Sequence, residues 1–127
     1  MRKIKIRSQA IGDVLAELYD DKNPKTAKAI WSALPLKGSV NTWGDEIYFS
    51  IAVDIGRENP QQVVEKGEIG YWPPGQAFCI FFGPTPASVQ NEIRAASPVN
   101  VFGKVANNPD IFKKVQDGDE IIIEKAS

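Results

Sequence analysis

The side chains that could carry chemistry in this sequence are few. There is no histidine among the 127 residues, so the commonest general base and the commonest metal ligand are both missing. The one cysteine, Cys79, lies inside the apolar run AFCIFF, where a buried thiol usually behaves as an inert hydrophobe. Asp45 and Glu46 are adjacent carboxylates, but neighbouring residues of a strand point to opposite sides. The sequence therefore favours a binding site over a catalytic centre, and we expect no metal ion and no cofactor.

Aromatic residues and rigid turns are concentrated in one stretch, GYWPPGQAFCIFFGPTP. Tyr71 and Trp72 lie beside its first proline turn, and Trp43 lies beside another expected loop. These rings either close the ends of the folded core or form a stacking wall for a ligand. The prolines are turn residues, and they would also stiffen the rim of a pocket, which lowers the entropy cost of binding.

The bulk composition limits the partners. The 15 basic and 16 acidic residues give a net charge of −1, which argues against nucleic-acid binding because such proteins usually carry a basic excess. No apolar run is long enough to span a membrane, and the charged N-terminus does not resemble a signal peptide. A single cysteine fits a reducing compartment. We therefore expect one cytoplasmic domain covering residues 1–127, with a protein partner left open.

Alternating and helical patterns position these side chains. Asn23 and Pro24 begin a helix that Pro35 ends, and the Asn108–Pro109 pair begins a second helix. Ile47 and Phe49 share one face of a strand whose other face carries Glu46 and Tyr48. Many short strands separated by turn residues favour a mainly β barrel of about eight strands. The expected strands cover residues 3–8, 11–19, 46–54, 77–82, 99–105 and 119–126, and residues 63–72 are expected to form a short strand broken by glycines.

The order of these elements resembles the cyclophilins. GDVLAELYDDKNPKTAKAIWSAL is similar to their opening strand and helix, VNVFGKVANNPDIFKKV to their later strand and helix, and DEIIIEKA to their last strand. The combination of NTWGDEIYF, GYWPPG and FFGPTP more closely resembles a small prokaryotic cyclophilin-like family of unassigned function. The resemblance implies a closed antiparallel β-barrel capped by two short helices.

The same resemblance does not bring the catalytic residues with it. Cyclophilins isomerise peptidyl-prolyl bonds with an arginine beside an aromatic pocket, and the corresponding stretch here, DEIYFS, has none. No basic residue lies between Lys37 and Arg57. The family's glutamine falls on Ala77, beside Gln76, and its groove histidine falls near Val99. The pocket phenylalanine corresponds to Phe78.

We therefore expect a groove that binds a small molecule or a peptide without the standard isomerase machinery. The residues expected to line it are Trp43, Glu46, Tyr48, Arg57, Gln76, Phe78 and Phe82. Two alternatives remain at this point. One is an active peptidyl-prolyl isomerase with rearranged polar groups, for which Arg57 could supply the cation. The other, by likeness to other cyclophilin-like domains, is a subunit of an amide-bond hydrolase that acts only with a partner chain.

Overall fold

The computed structural model describes residues 2–126, and within that range it contains ten strands, one α-helix and two 3-10 segments. No helix in this range is long and apolar enough to cross a bilayer. The elements are β1 Lys3–Ser8, β2 Gly12–Leu18, α1 Pro24–Ala33, β3 Leu36–Ser39, β4 Asn41–Thr42, β5 Glu46–Ser50, β6 Gln61–Val64, β7 Glu68–Trp72, β8 Ala77–Phe81, β9 Ile93–Val105 and β10 Glu120–Ala126, with 3-10 segments at Pro73–Gly75 and Pro109–Lys114.

The strands pair antiparallel in one sheet, in the order β3-β10-β1-β2-β9-β7-β8-β5-β4, with β6 paired to the first part of β9. The expected mainly β class is therefore confirmed. The expected closure into a barrel is not, because no ladder between described residues joins the two ends of this order. The two edge strands are consecutive in the chain. The chain changes partner at Val40, pairing with β10 before it and with β5 after it.

Some of the helices and strands agree with the sequence patterns, and others differ from them. Helix α1 begins at Pro24 and ends at Ala33, as the two flanking prolines predict. The expected second helix is instead a 3-10 segment, Pro109–Lys114. The expected strand 63–72 is two strands, because Gly67 adopts a φ of +92° between them. Strand β9 begins at Ile93, ahead of the predicted start at 99, and β3 and β4 were not predicted.

Two apolar clusters lie on the two faces of the central strands. The main core contains Phe78, whose ring centroid is 5.3 Å from that of Phe49 and 5.5 Å from that of Phe102. A second cluster, which we call the outer cluster, lies on the opposite face of β8. Its buried members are Val64, Ala77, Cys79, Phe81, Ile93, Ala95, Val99 and Val101.

The long connection between β5 and β6 is fixed by a buried amide. Asn100 in β9 is fully buried, and its Nδ2 donates to Thr26 Oγ1 at 3.1 Å and to the Gly56 carbonyl at 3.0 Å. Its Oδ1 accepts from the Glu58 amide at 3.0 Å. The side chain therefore joins the helix, the sheet and this loop.

We expect Asn100→Ala to lower the free energy of unfolding by about 2–3 kcal/mol, because it leaves buried backbone and hydroxyl groups without a partner. Urea denaturation measures this change. Asn107→Ala is the matched control, because Asn107 is exposed. A loss at Asn100 no larger than at Asn107 would show that the loop does not depend on this amide.

Candidate functional site

A cavity of about 240 Å³ opens on the outer-cluster face of the sheet. We call it the Trp43 cavity. Strands β5, β7 and β9 and the hairpin turn before β5 supply its walls. The lining residues are Trp43, Glu46, Tyr48, Trp72, Ala95, Ala96 and Val99.

A tight hairpin between β4 and β5 places Trp43 and Glu46 side by side at the cavity. The Trp43 amide donates to the Glu46 carbonyl at 2.9 Å, and the Glu46 amide donates back to the Trp43 carbonyl at 3.2 Å. Gly44 in this turn has a φ of +60°, and a Cβ there would lie 2.8 Å from Pro86 Cδ. The turn therefore requires glycine, both for its backbone conformation and for the space.

The prolines of GYWPPG support Trp72 at the opposite wall. The Trp72 indole Nε1 donates to Ser97 Oγ at 2.6 Å, which fixes the ring orientation. The 3-10 segment that follows brings Gly75 under the ring, where a Cβ would lie 2.6 Å from Trp72 Cζ3. The rigid turn is therefore part of the cavity wall, and a side chain at position 75 would push the indole away.

The third wall is the first part of β9, which carries Ala95 and Ala96. Ser88 Oγ accepts the Arg94 amide at 3.1 Å and the Thr85 amide at 2.9 Å, and Thr85 Oγ1 donates to the Arg94 carbonyl. The loop after β8 is thus tied to the strand beside the cavity. The small alanine side chains leave the space that the aromatic rings enclose.

Glu46 is the one acidic group of the lining, and only 6% of its side chain is exposed. Burial raises the pKa of Glu46 to about 7, and the nearby Cys79 thiol offsets a small part of this rise. Burial, together with the nearby Glu46, raises the pKa of Cys79 well above its usual value. Because the Glu46 pKa lies near neutrality, the carboxyl can be charged or neutral under physiological conditions.

The structure brings together some of the residues that the sequence predicted for the site and separates the others. Trp43, Glu46 and Tyr48 line the cavity. Arg57 is exposed in the loop between β5 and β6, and Gln76 is exposed in a left-handed conformation just before β8. Neither of these two residues lines the cavity.

Phe78 and Phe82 lie in the main core, with exposures of 0% and 3%. Phe78 lies in the main core because side chains alternate along β8. Ala77, Cys79 and Phe81 belong to the outer cluster, so Phe78 faces the opposite side. A shift of one residue reverses the face of every side chain in a strand, so the resemblance alone does not decide which face of β8 a residue occupies. Phe82 packs against Phe112, with ring centroids 6.1 Å apart.

Sequence reasoning left the alanine wall and Trp72 out of the expected site. The sequence did point to Trp72, because its ring is one of those that could form a stacking wall for a ligand. Val99 carried another, because the resemblance placed the groove histidine of cyclophilins near it. Ala95 and Ala96 carried none, because small residues are recognised as a wall only when strand pairing places them there.

Comparison with known proteins agrees with this architecture. A family model described as Cyclophilin-like matches residues 2–124. The chain belongs to the cyclophilin-like family. It is also 44% identical to a hypothetical protein from Archaeoglobus fulgidus whose solution structure superposes with a TM-score of 0.84, covering 98% of this chain and 95% of that one. No match was found among curated proteins.

Strand β5 contributes side chains to the wall of the Trp43 cavity. This is the strand that the resemblance aligns with the arginine-bearing strand of the cyclophilins. Strand β5 places Glu46 and Tyr48 at the cavity. Among the described residues that line the cavity there is no arginine or lysine.

Proposed function

We propose that the protein is a ligand-binding domain whose site is the Trp43 cavity, and that it does not isomerise prolyl bonds by the cyclophilin mechanism. The ligand is a small molecule or a short part of a peptide. The observation that carries this proposal is an aromatic-lined cavity with a single buried carboxyl group, Glu46, and no basic residue in its lining.

The cavity size supports a small ligand. Pockets for drug-sized ligands occupy about 300–1,000 Å³, whereas this cavity holds about 240 Å³. Apolar walls with a few convergent polar groups are typical of binding sites. Rigid support of Trp43 and Trp72 by the turns described above lowers the entropy cost of binding.

Ala96→Trp is the variant that tests the proposal, because Ala96 is an exposed residue at the rim and a large side chain there would fill the cavity. The matched control is Ala106→Trp, at an alanine that is also exposed and does not line the cavity. Nitrogen-15 NMR titrations with benzyl alcohol and with an alanine-proline peptide would be recorded on the wild type and both variants. We expect saturable shifts at Trp43 and Tyr48 that Ala96→Trp abolishes and Ala106→Trp preserves. If the probes caused equal NMR shifts in Ala96→Trp and Ala106→Trp, they would bind outside the Trp43 cavity.

A protease-coupled assay on a proline peptide tests the negative half of the proposal. Uncatalysed isomerisation takes tens to hundreds of seconds, so a catalysed phase would be easily distinguished. We expect the background rate with folded protein. A rate above background that Ala96→Trp removes would establish an isomerase with different polar groups.

A further inference from the structure

We propose that the Trp43 cavity recognises a small organic cation, an ammonium group with apolar substituents, which is held by Glu46 and enclosed by Trp43, Tyr48 and Trp72. This inference rests on the proposed binding function and goes beyond it by naming the ligand class. It follows from the charge and the aromatic rings of the cavity.

The first observation is a buried carboxyl group without an opposite charge. Glu46 has an exposure of only 6%, and it lines the cavity. The thiol of the neighbouring Cys79 donates to the Ala77 carbonyl, and within residues 2–126 no ion pair involves Glu46. Buried carboxylates are normally paired, because an isolated charge in an apolar site is unfavourable. A cationic ligand would supply the missing partner.

The second observation is that the cations on neighbouring strands already have partners. Arg94 in β9 contacts Glu92, with Nε 2.7 Å from the carboxylate. Lys104, further along β9, lies 3.4 Å from Glu65. These side chains are therefore not free to neutralise Glu46 without losing an ion pair.

The third observation is the set of rings that accompanies the carboxyl group. Trp43, Tyr48 and Trp72 are half-buried and line the same cavity. Aromatic faces attract cations through the ring quadrupole, tryptophan most strongly, and the attraction grows when the cation is desolvated. The chain uses this contact elsewhere, since Lys125 Nζ lies 5.0 Å from the ring centre of Trp31. Rings that surround a carboxylate discriminate between a cation and a neutral molecule of the same shape.

Two pairs of isosteric probes test the inference directly. Choline and 3,3-dimethylbutan-1-ol differ in the charged nitrogen, and benzylammonium and benzyl alcohol form the primary-amine pair. Each would be titrated into the full chain while the three tryptophan indole signals are followed by NMR. We expect the cation of each pair to bind about tenfold to a hundredfold more tightly than its neutral counterpart, as for a contact with a charged group. The signals of Trp43 and Trp72 should move, and that of Trp31, already covered by Lys125, should not.

Two variants separate charge recognition from simple filling of the cavity. Glu46→Gln keeps the shape and removes the charge, so it should reduce cation affinity about tenfold or more and reduce the affinity for the neutral probes much less. The control Glu120→Gln removes an exposed carboxylate whose ion pair with Lys37 lies on β10 and β3, and it should bind as the wild type does.

The possible results distinguish the two proposals. If the neutral probes bind as tightly as the cations, and Ala96→Trp blocks them, the cavity is a binding site but the cation inference is wrong. If the cations bind and Glu46→Gln binds them equally well, the inference is also wrong. If no probe of either charge binds, both proposals fail. If both cations bind preferentially and this preference depends on Glu46, both proposals are supported.

Discussion

Glu46→Gln is expected to raise the free energy of unfolding by about 3 kcal/mol at pH 8. Burial raises the pKa of Glu46 to about 7 in the folded protein, whereas an unperturbed glutamate has a pKa of 4.5. A difference of that size corresponds to about 3 kcal/mol at 1.36 kcal/mol per pKa unit. The wild type is the less stable protein at alkaline pH, because folding then requires a charge to be buried.

The pH dependence of this difference follows from the sign of the shift. Below about pH 4.5 Glu46 is protonated in both the folded and the unfolded state, so its ionisation does not affect stability. Between about pH 4.5 and pH 7 the unfolded state loses this proton first, and the wild type loses stability as the pH rises. Above about pH 7 the loss is complete. The gap between Glu46→Gln and the wild type should therefore open across this interval.

Urea denaturation of both proteins at several pH values between 4 and 8 measures this gap. Subtracting the two curves removes the contribution of the other carboxylates. Glu120→Gln serves as the control, because that exposed side chain should give a flat difference. A Glu46→Gln variant that is less stable than the wild type at pH 8 would mean that the carboxylate has a stabilising partner in the folded protein.

The stability effect and the proposed ligand are linked. A cation that binds the ionised Glu46 would remove part of the cost of its charge, because any ligand that binds only the folded state stabilises it. Saturating choline should therefore narrow the gap between the wild type and Glu46→Gln at pH 8. The neutral alcohol should leave the gap unchanged.

Phe78→Ala is expected to lower the free energy of unfolding by about 3–5 kcal/mol. The ring is completely buried in the main core, in contact with the rings of Phe49 and Phe102. Its removal would leave a void that the surrounding β-structure cannot fill. A loss of this size is a large part of the stability of a small domain. Phe78→Leu, which keeps most of the volume, provides a folded comparison, and urea denaturation measures both.

Ligand binding separates a core role for Phe78 from a groove role. Phe78→Leu should lose stability and bind benzyl alcohol as the wild type does, since Phe78 does not line the Trp43 cavity. Tyr48→Leu should weaken the binding of benzyl alcohol and lose less stability, because Tyr48 is half-buried and lines the cavity. If Phe78→Leu weakened binding as strongly as Tyr48→Leu, the phenylalanine would belong to the binding site after all.

The sequence alone determined some of the local elements and the family. The prolines around α1 fixed its two ends, and the alternation of β5 separated Ile47 and Phe49 from Glu46 and Tyr48. These features depend only on neighbours along the chain, so the sequence contains all the information they need. The order of motifs added the cyclophilin-like assignment, which the family match over residues 2–124 confirmed. The absence of arginine from DEIYFS was equally visible in the sequence.

The tertiary structure decided what could not be obtained from local patterns. Alternation divides β8 into two sets of side chains, but it does not say which set faces the main core; the structure places Phe78 there and Cys79 on the other face. The partner change at Val40, which leaves the hydrogen-bonded order open, depends on β5 and β10 from distant parts of the chain. The cavity likewise needs the pairing of β5 with β8, β8 with β7 and β7 with β9, which brings Glu46 together with Trp72 and Val99. Such contacts join residues far apart in sequence, and only the folded chain places them next to one another.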